Sequence, residues 1–169
     1  MKFGLLAICL IVLTSCWPTS VSFKDAGSMP IEWKAFHLKT LEINAPNCPL
    51  FYGAQLSEKV KDGIQNNTRL SLATKLSDAQ LQIEGGILNY QVNPIAIASG
   101  DNAAKNRLSL TVQFSINTTA PKEETINLTS SRFADFESTT NLSSVENQLL
   151  EEITEQIVQD LINKLMSNW

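Results

Sequence analysis

Arg107-Leu108-Ser109-Leu110-Thr111-Val112-Gln113-Phe114-Ser115-Ile116-Asn117 alternates without a fault. Leu108, Leu110, Val112, Phe114 and Ile116 share one phase, and the other phase holds only polar residues. Successive side chains of a strand point to opposite faces of its sheet. The period of two therefore predicts a half-buried strand, apolar toward a core and polar away from it. A sheet with one apolar face needs a second layer to cover it.

The chain supplies that layer on either side of the strand. In residues 50–66, Leu56, Val60 and Ile64 are spaced by four, with Lys59, Lys61 and Asp62 beside them. That is one apolar stripe on a solvated helix, and Asn66-Asn67 is a fitting end. Near the C-terminus, Ser143 and Glu146 have the spacing of a capping box and predict a helix start. From there Leu149, Ile153, Ile157, Leu161 and Leu165 repeat every four residues, widened by Leu150, Val158 and Ile162. Glu146, Glu151, Glu152, Glu155 and Asp160 make the remainder acidic. A spacing of four drifts away from a heptad, so the stripe reads as core and not as a coiled-coil seam.

Shorter β-like segments complete the pattern. Residues 34–44 alternate through Phe36, Leu38, Leu41 and Ile43 with one slip near Thr40, and Pro46 and Pro49 then end them. Residues 70–74 form a brief segment. Leu81 and Ile83 alternate as far as Gly85-Gly86, after which Leu88, Tyr90 and Val92 take the opposite phase, so a β-bulge is expected at the glycine pair. Residues 93–105, with Pro94, Gly100, Asp101 and Asn102, read as a loop. Residues 118–124 read as a turn and 125–136 as a further strand. Strand, helix, three or four strands and helix predict a two-layer α+β sandwich with both helices packed on one face of the sheet.

The N-terminus carries an export signal. Lys2 supplies the positive charge, residues 3–13 are apolar apart from Gly4, and Thr14 and Ser15 are small. The apolar run is about 11 residues, short of the roughly 20 that span a hydrocarbon core. Leu13-Thr14-Ser15-Cys16 looks like the lipobox of bacterial lipoproteins. Residues 1–15 are then the signal peptide and Cys16 the lipidated first residue of the mature chain. A diacylglycerol on its thiol and palmitate or a similar acyl chain on its amino group together anchor more durably than one chain. Residues 16–31 contain Pro18, Gly27 and Pro30 and read as a tether, with the folded domain at 32–169.

Without its signal the chain has 154 residues and a net charge of about −5, enough for one domain with a core and unsuited to nucleic acid. Cys9 leaves with the signal and Cys16 is consumed by lipid, so Cys48 stands alone. Neither an intrachain disulfide nor a cysteine-type metal site is expected. No catalytic set emerges. His37, the one histidine, falls in the polar phase of the first strand with no nucleophile motif beside it. Glu151 and Glu152 are adjacent on a helix and point about 100° apart. Gly85-Gly86 lacks the flanks of a phosphate loop, and Asp101 and Asn102 lack the alternating ligands of a calcium loop. The expectation is a protein without catalytic residues, cofactor or metal.

The polar phase of the sheet is the informative feature. Ser109, Thr111, Gln113 and Ser115 carry no charge, and neighbouring segments add Gln82, Asn89, Gln91, Asn127 and Thr129. A face meant only for water ordinarily carries more Lys and Glu. Hydroxyls and amides suit another polar surface, such as the lumen of a large outer-membrane β-barrel.

The lipobox, the segment from Ala98-Ser99-Gly100-Asp101-Asn102 through Ala103-Ala104-Lys105-Asn106-Arg107-Leu108, the stretch Ser131-Arg132-Phe133-Ala134-Asp135-Phe136 and the closing helix to Ser167-Asn168-Trp169 resemble the LptE family of lipopolysaccharide-assembly lipoproteins. The resemblance covers essentially the whole mature chain. It implies two helices against a mixed four-stranded sheet, and a lipid-anchored place in the outer membrane facing the periplasm and a barrel lumen. It also implies a one-to-one partnership with an LptD-like β-barrel, which the protein plugs and helps to assemble for lipopolysaccharide transport. Lys105, Arg107 and Arg132 are candidates for lipopolysaccharide phosphates by charge alone. Two other classes fit the residues: a small periplasm-facing lipoprotein binding a lipid or hydrophobic ligand in an apolar cavity, and a lipoprotein serving a different outer-membrane complex.

Overall fold

The computed structural model describes residues 29–95 and 104–167. Within them the elements are β1 (Ala35–Leu38), β2 (Glu42–Ile43), α1 (Tyr52–Asn67), β3 (Ser71–Leu72), a 3-10 turn at Leu76–Asp78, β4 (Leu81–Ile95), β5 (Lys105–Thr118), β6 (Glu124–Glu137) and α2 (Leu142–Met166). The expected signal peptide, Cys16 and most of the expected tether lie outside the described residues. So do residues 98–103 of the stretch that resembles the family.

The sheet runs in the order β3-β1-β4-β5-β6, with β2 also paired to β4. It is mixed, as expected, but it has six strands and not four. β1 pairs in parallel with β3 and β4, β2 pairs in parallel with β4, and β4, β5 and β6 form an antiparallel meander. The extra strands come from 34–44, which splits into β1 and β2, and from 70–74, where β3 spans Ser71–Leu72. The slip near Thr40 has a structural origin. Between Leu38↔Ile83 and Glu42↔Gly86 the first segment spends one residue more than β4 does. The excess is tied down where Leu41 N donates to Ser57 Oγ of α1 at 2.9 Å.

One face of this sheet and both helices share a single core. β5 contributes Leu108, Leu110, Val112, Phe114 and Ile116, all fully buried. α1 contributes Leu56, Val60 and Ile64, and α2 contributes Leu149, Ile153, Ile157, Leu161 and Leu165, in the phases that the four-residue spacing predicts. Burying an aliphatic side chain of this size is worth about 1.5–3 kcal/mol, so these stripes hold the layers together. The helices meet closely at Gly63, where a Cβ would stand 2.3 Å from Val158 Cγ1. Tyr52 and Thr154 share a buried hydrogen bond of 2.8 Å between the helices.

Three local expectations are corrected. The bulge in β4 is not at the glycines: the register shifts between Ile87 and Asn89, making Leu88 the extra residue. Ile87 is fully buried, Leu88 is 45% exposed, and Tyr90 returns to the core. Gly85 serves close packing instead, since a Cβ there would lie 2.2 Å from Gln113 O. The cap of α2 is Asn141, whose side chain accepts from Ser143 N at 3.1 Å, while Glu146 accepts a hydrogen bond from Tyr90 Oη. The segment expected to be a loop at 93–105 is partly strand, because β4 continues to Ile95 and β5 begins at Lys105. The folded body also reaches back to Met29, which is buried and whose carbonyl accepts from Arg69 Nη2 at 2.9 Å.

Candidate functional site

Helices cover one face of the sheet and leave the other open. On that outer face β4, β5 and β6 align side chains in rows fixed by the register. The central rows are Gln91, Ser109 and Phe133, then Asn89, Thr111 and Ser131, then Gly86, Gln113 and Thr129. Below them come Glu84, Ser115 and Asn127, then Gln82, Asn117 and Thr125. Ser109, Thr111, Gln113 and Ser115 thus stand side by side as the sequence predicts. Thr111 Oγ1 and Ser131 Oγ share a hydrogen bond of 3.0 Å, and Thr125 Oγ1 donates to Asn117 Oδ1 at 2.7 Å. Hydroxyls and amides half satisfied by one another keep capacity for a partner at little desolvation cost.

Charge is sparse on this face, with Glu84 standing in the row of Ser115 and Asn127 and the rest toward its ends. At one side Lys39, Glu42 and Glu84 gather around a shallow hollow of about 230 Å³ that also touches Leu88, Gln113 and Ser115. His37 lies nearby with Lys39, Leu76 and Gln82 in a second hollow. At the far end Arg107 makes a two-pronged pair with Asp135, Nε to Oδ1 at 2.7 Å and Nη2 to Oδ2 at 2.9 Å. The Arg107 guanidinium lies 3.6 Å over the Phe133 ring. Its hydrogen bonds hold the Asp135 carboxyl below the usual carboxylate range.

The three cations named from charge are not brought together. Lys105 and Arg107 share the outer face, but Arg132 is on the inner one, its Nε donating to Asp160 Oδ2 of α2 at 2.7 Å. That contact, more than the hydrogen bond from Ser130, holds Asp160 below its ordinary range. Each arginine already has a carboxylate. Sequence reading missed Leu88, Leu76 and Phe133 as apolar points on the outer face. Phe133 could have been found from the even spacing of Ser131, Phe133 and Asp135, which puts it in the polar phase of its strand.

Beneath the sheet, Cys48 is buried near Glu146, and burial pushes its thiol up to about 11, a value suited to packing and not to reactivity. Among the described residues no cluster of His, Cys, Asp and Glu could hold a metal ion, and no helix is long and apolar enough to cross a membrane.

These features define a two-layer α+β domain that, among the described residues, presents one uncovered, largely uncharged sheet face. The chain belongs to the LptE family of lipopolysaccharide-assembly proteins, whose family model matches residues 38–165. No curated protein sequence matches it. Among solved structures it is similar to a lipoprotein B from Nitrosomonas europaea, at 14% identity over 82% of this chain and 84% of that one, with a TM-score of 0.52. It is similar also to a hypothetical protein from Chlamydia trachomatis, at 12% identity over 80% and 99%, with a TM-score of 0.52. A rare lipoprotein B from Shewanella oneidensis is similar at 14% identity over 78% and 94%, with a TM-score of 0.47. At such identities the likeness is one of fold.

Proposed function

We propose that the protein is an outer-membrane lipoprotein, anchored through lipid on Cys16, that seats inside an LptD-like β-barrel in a one-to-one complex. There it helps the barrel assemble and lipopolysaccharide reach the cell surface, with no catalysis of its own. Residues 1–15 act as the signal peptide, and the segment after Cys16 tethers the domain to the membrane. The observation that carries the reading is the outer sheet face, with its rows of Ser, Thr, Asn and Gln, among which Glu84 is the one carboxylate of the three central β4-β5-β6 rows and the two below them. A water-facing sheet gains nothing from lacking Lys and Glu, whereas a face that docks against a polar lumen avoids burying charge. Family membership supplies the lipopolysaccharide-assembly context.

A lipid carrier would need an apolar chamber between the layers. That space is filled by Phe36, Tyr52, Phe114 and the helix stripes, which favours the docking reading over the carrier.

The test is a single charge on the face. Thr111→Glu should reduce recovery of the co-expressed barrel at least tenfold, since an unpaired carboxylate desolvated at an interface costs several kcal/mol and about 1.4 kcal/mol is tenfold. The melting temperature should stay within a few degrees of the parent, because Thr111 is outside the core. Undiminished recovery would remove the face from the contact.

A further inference from the structure

The two edges of the sheet are built differently. One edge is β3, two residues long and too short to template another strand. The other is β6, fourteen residues in unbroken register with β5 from Thr118↔Glu124 to Lys105↔Glu137. It contains no proline, no lysine and no bulge, and residues 125–131 carry no charge, the charges being Glu124 at one end and Arg132, Asp135 and Glu137 toward the other.

The hydrogen-bonding phase of that edge follows from its end. Ser138 N donates to Ala104 O at 3.0 Å, so Ala104 and Ser138 form the kind of antiparallel pair that exchanges hydrogen bonds. Such pairs alternate with pairs whose amides and carbonyls turn away. Even-numbered residues of β6 therefore bond β5. Thr125, Asn127, Thr129, Ser131, Phe133 and Asp135 direct theirs outward. The other side of β5 agrees in phase, since Thr119 N donates to Gln80 O at 3.0 Å. Among the described residues no hydrogen bond reaches the outward groups.

Beside the edge runs a groove of about 540 Å³, bounded by Leu128, Ser130 and Arg132 of β6 and by Asp160 and Asn163 of α2. It continues past Gln156 and Gln159. Arg132 and Asp160 neutralise each other, Lys164 and Glu155 add one charge of each sign, and hydroxyls of β6 with the amides of Gln156, Gln159 and Asn163 line the rest.

We propose that β6 accepts an added strand from the barrel partner, an extended segment of mainly uncharged hydroxyl and amide side chains. This rests on the barrel reading above and names the edge as a second contact, distinct from the face. Outward N–H and C=O groups recurring about every 7 Å are matched by another extended backbone, a pattern that acyl chains and sugars do not reproduce. On one side the added strand extends the rows of Thr, Asn and Ser; on the other it meets Gln156, Gln159 and Asn163. A second copy fits poorly, because two-fold pairing through β6 would set two α2 helices side by side, each presenting exposed Glu152 and Glu155.

The experiment compares the full-length lipoprotein with Thr129→Pro and Thr129→Val, each co-expressed with the LptD-type barrel. Thr129 N–H points away from β5, so proline removes an outward donor and leaves the β5–β6 ladder whole. The parent and Thr129→Val should recover the barrel equally, and Thr129→Pro at least tenfold less, with an unchanged circular dichroism spectrum. Residue-resolved hydrogen exchange on the parent gives the second reading, valid even if the proline variant misfolds. Amides of Thr129, Ser131 and Phe133 should exchange at least tenfold more slowly in the complex than in the free protein. Equal exchange in the two states, or a folded Thr129→Pro that keeps the barrel, overturns the edge. So does a free protein that sediments as a dimer with those amides already protected. Failure of the parent to recover any barrel instead sinks the barrel reading, and the edge inference with it.

Discussion

Asp160 and Asp135 each hold an arginine, and the two pairs sit on opposite faces of the same strand. Asp160 is kept below its ordinary range first by hydrogen bonding to Arg132. A carboxyl lowered in the folded state adds stability above its unfolded value, near 3.8, and loses it as pH falls through the folded value. Asp160→Asn should lower stability at neutral pH by about 1 kcal/mol, since Arg132 is part exposed and solvent screens the pair. It should also flatten the loss of stability below about pH 4. Thermal melts from neutral to acid pH check this, and an unchanged acid slope would deny the pair its role. Ile157→Asp should unfold the domain, because an unpaired charge at a fully buried site costs several kcal/mol. Glu155→Lys, two residues away and exposed, should be nearly silent. At this scale the sequence told core from surface well on the helices, where period and burial coincide. It could not tell that Arg132 faces α2, because an arginine in the apolar phase of a strand declares its partner only when the helix is in place.

The bulge in β4 shows how an element can be legible and mislocated at once. The change of phase between Ile83 and Tyr90 is plain in the sequence, yet a glycine pair within that interval attracts the assignment. What decides is packing: Gly85 must pass close to the β5 backbone, so the extra residue falls at Leu88, where a side chain can turn to solvent. Deleting Leu88 would restore strict alternation, with Ile87, Asn89 and Tyr90 still opposite Val112, Thr111 and Leu110, so Tyr90 should stay in the core and denaturant melts should change little. The start of α2 teaches the same lesson. Ser143 and Glu146 have the spacing of a capping box, but Asn141 takes the cap and Glu146 is drawn to Tyr90. Asn141→Ala should cost about 1 kcal/mol, more than Ser143→Ala, when the two are compared by denaturant midpoint. The segments at 34–44 and 70–74 were legible as β, but the break between β1 and β2 and the two-residue extent of β3 were not, because two residues carry no period.

For the whole molecule, the layer order was legible because half-apolar sheets and one-sided helices have few ways to bury their faces. Strand number was not, and the long edge of β6 emerges only from the register. Three features bear on the barrel reading: the proposed lipid anchor at Cys16, a filled core without a lipid chamber among the described residues, and a polar face left bare by the helices. Cys16→Ala should abolish incorporation of a palmitate analogue, since only the thiol can accept the diacylglycerol; equal label in the variant would end the lipoprotein reading. The most direct measurement is site-specific photo-crosslinking in intact cells, with the probe at Thr111 on the open sheet face or at Glu58 on the exposed side of α1. The account predicts that Thr111 crosslinks to the LptD-type barrel and that Glu58 gives at most a faint product. A barrel adduct from Glu58 with none from Thr111 would contradict it.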